Sequence, residues 1–254
     1  MEGLFVRTGS VPGHAHKRKG INNQDALMIG ETLVGDVPYL FGTVFDGCSG
    51  TKGSRTEVGA SLLAAFYRYE IPLILAAHTP LLDAPSILYQ RSIGYLGSVA
   101  RSTVTGTPDA MWTFVRDYLL CTAIGFITDG ETLVVYSAGD GIFIVDGERH
   151  TIDQSNRPLY LAYNLLDRKM LPSDVELPTS FEVSTFPLAP LSRFCISSDG
   201  LTEEARVSDT FTPDGIWDYE PDARAGLQWW LNKGANEEHR FSDDCTIVAF
   251  TKRP

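Results

Sequence analysis

The chain has 254 residues, of which 43% are hydrophobic and 21% are charged, a composition that indicates a folded core and excludes an intrinsically disordered chain. Its 32 acidic residues outnumber its 21 basic residues, and the resulting net charge of -11 disfavours nucleic acid as a partner. The most apolar region is interrupted by Arg68 and Glu70, and no signal peptide is recognisable, so we expect a cytoplasmic protein without a membrane partner.

Strands are predicted by nine apolar or β-branched runs, each bounded by Gly, Pro or Asp. Hairpins are predicted across Asp129-Gly130 and across Gly139-Asp140-Gly141, because such dipeptides favour tight turns. The nine runs cover residues 4–8, 25–30, 39–45, 121–128, 132–138, 141–147, 181–186, 193–198 and 245–251.

Helices are predicted where apolar residues recur at helical spacing. The segments are 57–69, with Val58 and Leu62 among the apolar residues on one face, 87–102, and 223–231. Together with the strands, they predict an α+β fold in which a few helices cover the outer faces of antiparallel sheet.

Aspartates stand at the ends of the predicted strands. If these ends converge on one rim, carboxylates facing each other need a compensating cation. Oxygen ligands suit Mg²⁺, Mn²⁺ or Ca²⁺, and the lack of His or Cys near these aspartates argues against zinc. Two such ions about 3.5 to 4 Å apart can activate a water against a phosphoester. The aspartates are Asp25, Asp46, Asp140, Asp199, Asp243 and Asp244.

Asp-Gly is also a common turn dipeptide, which gives each of these positions a simpler interpretation. We interpret Asp129, Asp146 and Asp214 as turns. Asp46 and Asp199 differ because each directly follows a long apolar run and is flanked by small residues, where backbone can approach an ion closely. The basic residues between positions 14 and 19 are either a solvated loop or a phosphate-attracting lip.

Five segments resemble, in their order and spacing, motifs of the metal-dependent serine/threonine phosphatases of type 2C, and most of all their compact bacterial branch. The resemblance extends from His16 to Phe250 and identifies residues 1–254 as a single phosphatase domain. It implies a central β-sandwich of two antiparallel sheets flanked by helices. It also implies phosphoserine and phosphothreonine proteins as substrates, in opposition to a serine/threonine kinase. The segments are GHAHKRKGINNQDALMIG, FGTVFDGCSGTKGSRTEVGA, LVVYSAGDGIFIV, FCISSDGLTE and SDDCTIVAF.

The resemblance implies a centre of two Mn²⁺ or Mg²⁺ ions. Asp46 would bridge both ions, and the backbone carbonyl of Gly47 would bind the second. Asp199 and Asp243 would complete the first site, and Asp25 would act through a metal-bound water.

Two further aspartates have less direct implied roles. Asp140 would help to hold a third, more weakly bound metal, with a hairpin turn as the alternative. Asp244 stands where many relatives have Asn and would act either from behind the metal ligands or through a water.

Two departures from the family pattern affect this interpretation. Gln24 replaces the usual Glu before Asp25, and a neutral amide should hold the second ion less tightly than a carboxylate. The arginine that clamps the substrate phosphate is also absent. His16 occupies the corresponding loop, and it would bind the phosphate or donate a proton to the leaving alkoxide, with Lys17 or Arg18 sharing the phosphate contact.

A further segment resembles the variable loop beside the cleft, which in the family contacts the substrate protein. It contains Asn156, Tyr160 and Tyr163, whose aromatic side chains could equally belong to the core. Three functions therefore remain open: a phosphatase, a pseudophosphatase that binds a phosphoprotein without hydrolysing it, and a structural Ca²⁺-binding β-domain. The phosphatase is favoured because the chain retains all four core carboxylate positions of the family, Asp25, Asp46, Asp199 and Asp243.

Overall fold

The structure is a computed structural model that describes residues 3–48, 53–154, 159–171, 177–201, 216 and 226–252. In this part of the chain, ten strands form two five-stranded sheets in which every neighbouring pair is antiparallel. The strands are β1 (Leu4–Val11), β2 (Ala26–Val34), β3 (Val37–Phe45), β4 (Ala123–Thr128), β5 (Thr132–Ala138), β6 (Gly141–Val145), β7 (Glu148–Ile152), β8 (Glu182–Pro187), β9 (Arg193–Ser197) and β10 (Cys245–Lys252). Sheet one has the order β1-β10-β9-β6-β7, and sheet two has the order β2-β3-β4-β5-β8.

The helices that the structure describes all lie between strands along the chain. Short 3-10 turns cover Leu161–Leu165 and Arg168–Met170, and a π-helical turn at Val115–Leu119 follows α4 directly. The Thr107 hydroxyl caps α4 by accepting a hydrogen bond from the Ala110 N–H. The helices are α1 (His14–Lys19), α2 (Glu57–Ala76), α3 (Ala84–Thr103), α4 (Pro108–Phe114) and α5 (Gly226–Asn236).

The two sheets pack face to face, and helices cover their outer faces. Phe126 of sheet two contacts Phe194 and Phe250 of sheet one, with ring centroids 5.3 and 5.6 Å apart. Full burial of each side chain of this size stabilises the folded state by about 1.5 to 3 kcal/mol. Two further groups of buried apolar side chains lie on the outer faces of the sheets. One packs α2 and α3 on sheet two, and the other packs α5 on sheet one. The predicted sandwich of two antiparallel sheets flanked by helices is confirmed.

By length and composition alone, α2 is apolar enough to cross a membrane, which by itself is weak evidence because core helices pass the same test. In this fold its side chains Leu63 and Tyr67 are fully buried and belong to the core against sheet two. The predicted face, with Val58 and Leu62, is wrong, because Val58 is 38% exposed and Leu62 is only half-buried.

The hairpin predicted across Gly139-Asp140-Gly141 is wrong, whereas the β4–β5 hairpin across Asp129-Gly130 is confirmed. β5 pairs with β4 and β8, and β6 pairs with β7 and β9, so Gly139 and Asp140 carry the chain from sheet two to sheet one. β6 instead forms its hairpin with β7 across Asp146-Gly147, where both φ angles are positive, as a tight hairpin turn requires. β7 was not predicted because its sequence, ERHTI, is largely polar.

Candidate metal centre

The register of both sheets brings the aspartate-bearing strand ends to one rim of the sandwich. In sheet two, Ala26 at the start of β2 lies opposite Phe45 at the end of β3. In sheet one, Ser197 at the end of β9 lies opposite Ile142 and Ile247, near the starts of β6 and β10. The residues just outside these positions are the predicted site residues Asp25, Asp46, Asp140, Asp199, Asp243 and Asp244.

Asp25 joins the two sheets at this rim. Its Oδ2 accepts a hydrogen bond of 2.8 Å from the Ser198 hydroxyl, although Asp25 precedes sheet two and Ser198 follows β9 of sheet one. The Ser198 N–H in turn donates to the Thr246 carbonyl of β10 at 3.1 Å. Because hydrogen bonds fix these strand ends relative to one another, the carboxylates are held at defined positions.

The Asp25 carboxyl is costly to ionise. Burial and, to a smaller extent, the charges of Asp244 and Asp199 together raise its pKa from 3.8 to about 8, against the opposing hydrogen bond from Ser198. Its Oδ1 is buried and accepts no hydrogen bond from the residues that the structure describes. A negative group in this position lacks the compensation that buried charges usually have.

Asp46 lies in the same electrostatic environment. Burial raises its pKa well above the usual value, and Asp25, Asp199 and Asp243 each add to the increase. Asp46 and Asp199 also share a hydrogen bond, which two carboxyls can form only when one of them is protonated. In the absence of a cation, the cluster therefore retains protons that ordinary aspartates lose.

Two glycines allow the segments of the cluster to approach one another closely. A Cβ atom at Gly47 would lie 2.6 Å from the Gln24 carbonyl oxygen, and one at Gly200 would lie 2.0 Å from the Asp244 carbonyl oxygen. Neither position has space for a larger residue without movement of backbone. The glycines next to Asp46 and Asp199 in the sequence thus have a packing reason, whereas the predicted close approach of backbone to an ion stays a prediction.

His16 and Asp244 are buried side chains that contact each other next to Asp243. The His16 Nδ1 lies 3.0 Å from Asp244 Oδ1, and the His16 Nε2 lies 3.5 Å from Asp243 Oδ1. The Asp244 contact raises the pKa of His16 above its usual value, with burial opposing the shift and Asp243 adding to it. His16 is only 4% exposed, so it offers little surface to a substrate.

Asp244 positions the backbone around the cluster. It is 2% exposed, its Oδ1 accepts the Gly13 N–H at 2.8 Å, and its Oδ2 accepts the Gln24 N–H at 2.6 Å. These bonds fix the entry to α1 and the residue that precedes Asp25. The Asp244 carboxylate therefore contacts backbone directly, and the role toward the metals that the resemblance implied stays a prediction.

The prediction that no histidine lies near these aspartates is wrong, because α1 folds back onto the 241–244 loop and carries His16 to Asp243. Atoms of His16, Asp243 and Asp244 that could ligate a metal lie within 4.8 Å of one another. Local sequence patterns could not indicate this contact, because His16 and Asp243 are more than 200 residues apart.

Gln24 is 1% exposed and lies beside Gly47. Its Nε2 donates to the Thr56 hydroxyl at 3.0 Å, while its Oε1 is buried and has no hydrogen-bond donor among the described residues. An unpaired buried oxygen of this kind is costly in a protein interior. Together with the unpaired Asp25 Oδ1 and the raised pKa of Asp46, it fits a site for a hard divalent cation with oxygen ligands.

Other predicted residues lie around this cluster. Asp140 Oδ1 accepts the Gln154 N–H at 2.5 Å, so the side chain supports the segment after β7. Tyr160 is buried and hydrogen-bonds the half-buried Cys48, and Tyr163 is half-buried against the same core. Asn156 and Asp214 lie outside the described residues.

Lys17 and Arg18 are directed away from the carboxylates. They face α5, where they line a pocket with residues 14, 235, 236 and 239, whereas His16 on the same short helix faces Asp243. The structure thus brings one of the three predicted phosphate-contacting residues to the cluster and places the other two elsewhere.

Several supporting residues were not predicted from the sequence. Ser198 and Thr246 hydrogen-bond Asp25, and the buried Thr56 bonds both Gln24 and the Cys48 carbonyl. Their only sequence signal is that small hydroxyl residues adjoin the aspartate-bearing strand ends, a pattern too common to indicate a site by itself.

Comparisons with known proteins support the fold. No family model and no curated protein sequence matches the chain. A bacterial serine phosphatase of known structure aligns at a TM-score of 0.61 with 12% identity, over 98% of this chain and 97% of that protein. The serine/threonine phosphatase Stp1 from Staphylococcus aureus aligns at 0.61 with 13% identity, over 99% and 96%.

A third structure, PppA, a key regulatory component of T6SS in Pseudomonas aeruginosa, aligns at a TM-score of 0.59 with 17% identity over 98% of each chain. At these identities the likeness concerns the fold, and it extends over nearly the full length of all three proteins. The chain therefore has the fold of the bacterial serine/threonine phosphatases, as the resemblance to the type 2C family implied.

Proposed function

We propose that the protein is a metal-dependent serine/threonine phosphatase that hydrolyses phosphoserine and phosphothreonine esters. The observation that carries this proposal is the group of aspartates around Asp46, whose pKa is raised by burial and by Asp25, Asp199 and Asp243. A protein gains nothing in stability from such mutual repulsion, which a bound divalent cation would relieve.

The chain's own oxygens would hold two Mn²⁺ or Mg²⁺ ions. In this proposal Asp46 contributes to both ions, Asp199 and Asp243 to the first, and the Gly47 carbonyl to the second, with Asp25 acting through water. When bound, a pair of such ions supplies an activated water and neutralises charge on a phosphoester. Asp140 is the candidate for a weaker third site.

His16 has a positioning role in the proposal. Its burial does not fit direct contact with the phosphate of a protein substrate, whereas its contacts with Asp243 and Asp244 fit orientation of the Asp243 carboxylate. The Asp244 contact raises the pKa of His16, so the imidazolium is favoured more strongly here than in an exposed histidine.

Hydrolysis by water, without a covalent intermediate, fits the state of the nearest thiol. Burial raises the pKa of Cys48, and Asp243 and Asp199 raise it further against the hydrogen bond with Tyr160. A thiol with a raised pKa remains protonated and is a poor nucleophile.

The proposed partner is a phosphorylated protein whose phosphate is added by a serine/threonine kinase. Support comes from the fold shared with Stp1, a serine/threonine phosphatase. A second candidate, the pseudophosphatase, is favoured by Gln24, whose neutral amide stands where the family has a carboxylate and donates to Thr56.

The test is hydrolysis of p-nitrophenyl phosphate and of a phosphoserine peptide in the presence of Mn²⁺, Mg²⁺, Ca²⁺ or EDTA. The phosphatase requires turnover with Mn²⁺ or Mg²⁺ that EDTA abolishes. Asp46→Asn should lower turnover at least about a thousandfold, because the substitution removes the charge shared between the two ions.

A matched control for this variant is Asp129→Asn, the same substitution in the β4–β5 turn. The Asp129 Oδ1 accepts turn N–H groups, a function that asparagine retains, so activity should remain within about twofold of the wild type. Metal binding without turnover would support the pseudophosphatase, and a response to Ca²⁺ alone would support the structural calcium domain.

A further inference from the structure

A pocket of about 430 Å³ lies between α1 and the end of α5. Its volume falls in the range of about 300 to 1,000 Å³ that is typical of small-molecule sites. The lining residues are mostly cationic or hydrogen-bonding: His14, Lys17, Arg18, Ala235, Asn236 and His239.

The pocket is separate from the candidate metal centre. Successive residues of a helix are rotated by about 100°, so His14, Lys17 and Arg18 share one face of α1. His16 lies on the opposite face, where it contacts Asp243. One side of this short helix therefore lines the pocket, and the other faces the candidate metal centre.

Hydrogen-bond donors dominate the pocket. The Lys17 Nζ donates to the Asn236 Oδ1 at 2.7 Å. This bond uses only the oxygen of the Asn236 amide and not its N–H groups. The His14 Nδ1 lies 2.9 Å from the Phe241 carbonyl, and because a carbonyl can only accept, this nitrogen carries the hydrogen. The Nε2 is then an acceptor in the neutral ring and a donor in the imidazolium.

The charge of the lining favours an anion over a metal ion. The two histidine rings, His14 and His239, lie 6.2 Å apart and could by themselves suggest a metal site. However, Lys17 and Arg18 bring two positive charges, and no carboxylate of the described part of the chain lines the pocket, so a divalent cation would be repelled.

Nearby acidic residues leave this charge largely intact. Glu237 and Glu238 lie between Asn236 and His239 in the sequence, but neither lines the pocket. Glu238 also forms ion pairs with Arg240 and Lys233, which neutralise it locally. The positive patch is therefore a distinct feature of a chain whose net charge is -11.

We propose that this pocket binds a phosphate monoester or free phosphate, at a position separate from the phosphate that the metal centre would hydrolyse. Arg18 provides planar, charge-assisted donors, Lys17 a mobile ammonium group, and His14 and His239 imidazole donors when protonated. The volume exceeds that of a phosphate group alone, leaving room for the group to which the phosphate is attached.

The experiment is a calorimetric titration of the full chain with inorganic phosphate in EDTA. Without metal, the carboxylate cluster repels phosphate, so saturable binding reports the pocket and does not depend on the proposed phosphatase activity. The double variant Lys17→Met/Arg18→Met should weaken binding at least about tenfold. Lys19→Met removes the same kind of charge from the same helix outside the pocket lining and should change affinity by less than about twofold.

A second arm identifies the source of the phosphate. A phosphoserine peptide that binds more tightly than inorganic phosphate assigns the pocket to phosphorylated protein segments, and equal affinity assigns it to the free anion. In both cases, ¹H–¹³C NMR should show the His14 and His239 ring signals shifting on titration.

Three results would overturn the proposal. They are the absence of saturable phosphate binding by the wild type, an equal loss of affinity in Lys19→Met, and Zn²⁺ binding at the two histidines without phosphate binding. Circular dichroism of each variant separates loss of the pocket from loss of the fold.

Discussion

The Asp25→Asn substitution should make the metal-free protein more stable at high pH. Burial raises the pKa of Asp25 from 3.8 to about 8 in the folded protein, and Asp244 and Asp199 contribute to this shift. Because the folded-state pKa lies above the unfolded-state value, the folded protein retains a proton that the unfolded chain releases. The stability linked to this proton is fully present below a pH of 3.8 and is lost as the pH rises through about 8.

The magnitude follows from the number of protons bound. Between these two pH values the folded state binds one proton more than the unfolded state, so the free energy of unfolding falls by about 1.4 kcal/mol per pH unit. From about pH 5 to about pH 8 the loss is about 4 kcal/mol. Asparagine stays neutral at every pH and retains an oxygen that can accept the Ser198 hydroxyl, so the variant lacks this dependence.

The assay is urea unfolding of both proteins in EDTA across this pH range. The free energy of unfolding of Asp25→Asn minus that of the wild type should rise with pH at about 1.4 kcal/mol per unit. With saturating Mn²⁺ the order should reverse at high pH, because the ionised wild-type carboxylate then faces a cation. A difference that stays constant with pH in EDTA would refute the reasoning, since Asp25 would then titrate alike in both states.

Three further predictions concern residues around the cluster. Gln24→Glu should lower the Mn²⁺ concentration for half-maximal activity, because a carboxylate attracts the ion more strongly than an amide. The same change should lower the melting temperature of the metal-free protein, because it adds a buried carboxylate and removes the bond to Thr56. An unchanged midpoint in a Mn²⁺ titration would place Gln24 outside the coordination sphere. Cys48→Ser should keep turnover within about threefold of the wild type, since a metal-activated water needs no thiolate, and loss of activity with unchanged metal affinity would indicate a cysteine nucleophile. Asp244→Ala should destabilise the fold by about 3 kcal/mol in urea unfolding, because two buried N–H groups lose their acceptor, and Asp244→Asn should recover part of this loss.

The sequence determined most of the strands and the position of the aspartates, because both depend on short segments. Runs such as 193–198 are apolar enough to be strands in almost any context, and the Asp129-Gly130 turn requires only contacts between neighbours in the chain. Asp46 and Asp199 were recognisable because each follows such a run directly and is followed by glycine. Five motifs in the family's order then implied the sandwich that the structure confirms.

Local pattern could not determine which strands pair across long distances. β5 and β6 are buried almost throughout, so no alternation of polar and apolar residues distinguishes pairing with each other from pairing in separate sheets. For α2 the difficulty was similar, because apolar residues surround the helix and only packing against sheet two selects Leu63 and Tyr67 over Val58.

Tertiary structure alone decided the surroundings of α1. Six consecutive residues carry His16 to Asp243 on one side and Lys17 and Arg18 to the end of α5 on the other. These contacts join residues more than 200 positions apart, and they exist because the 241–244 loop accepts the first N–H groups of α1. The sequence displays the basic cluster, but only the folded chain separates one histidine beside the carboxylates from a cationic pocket behind it.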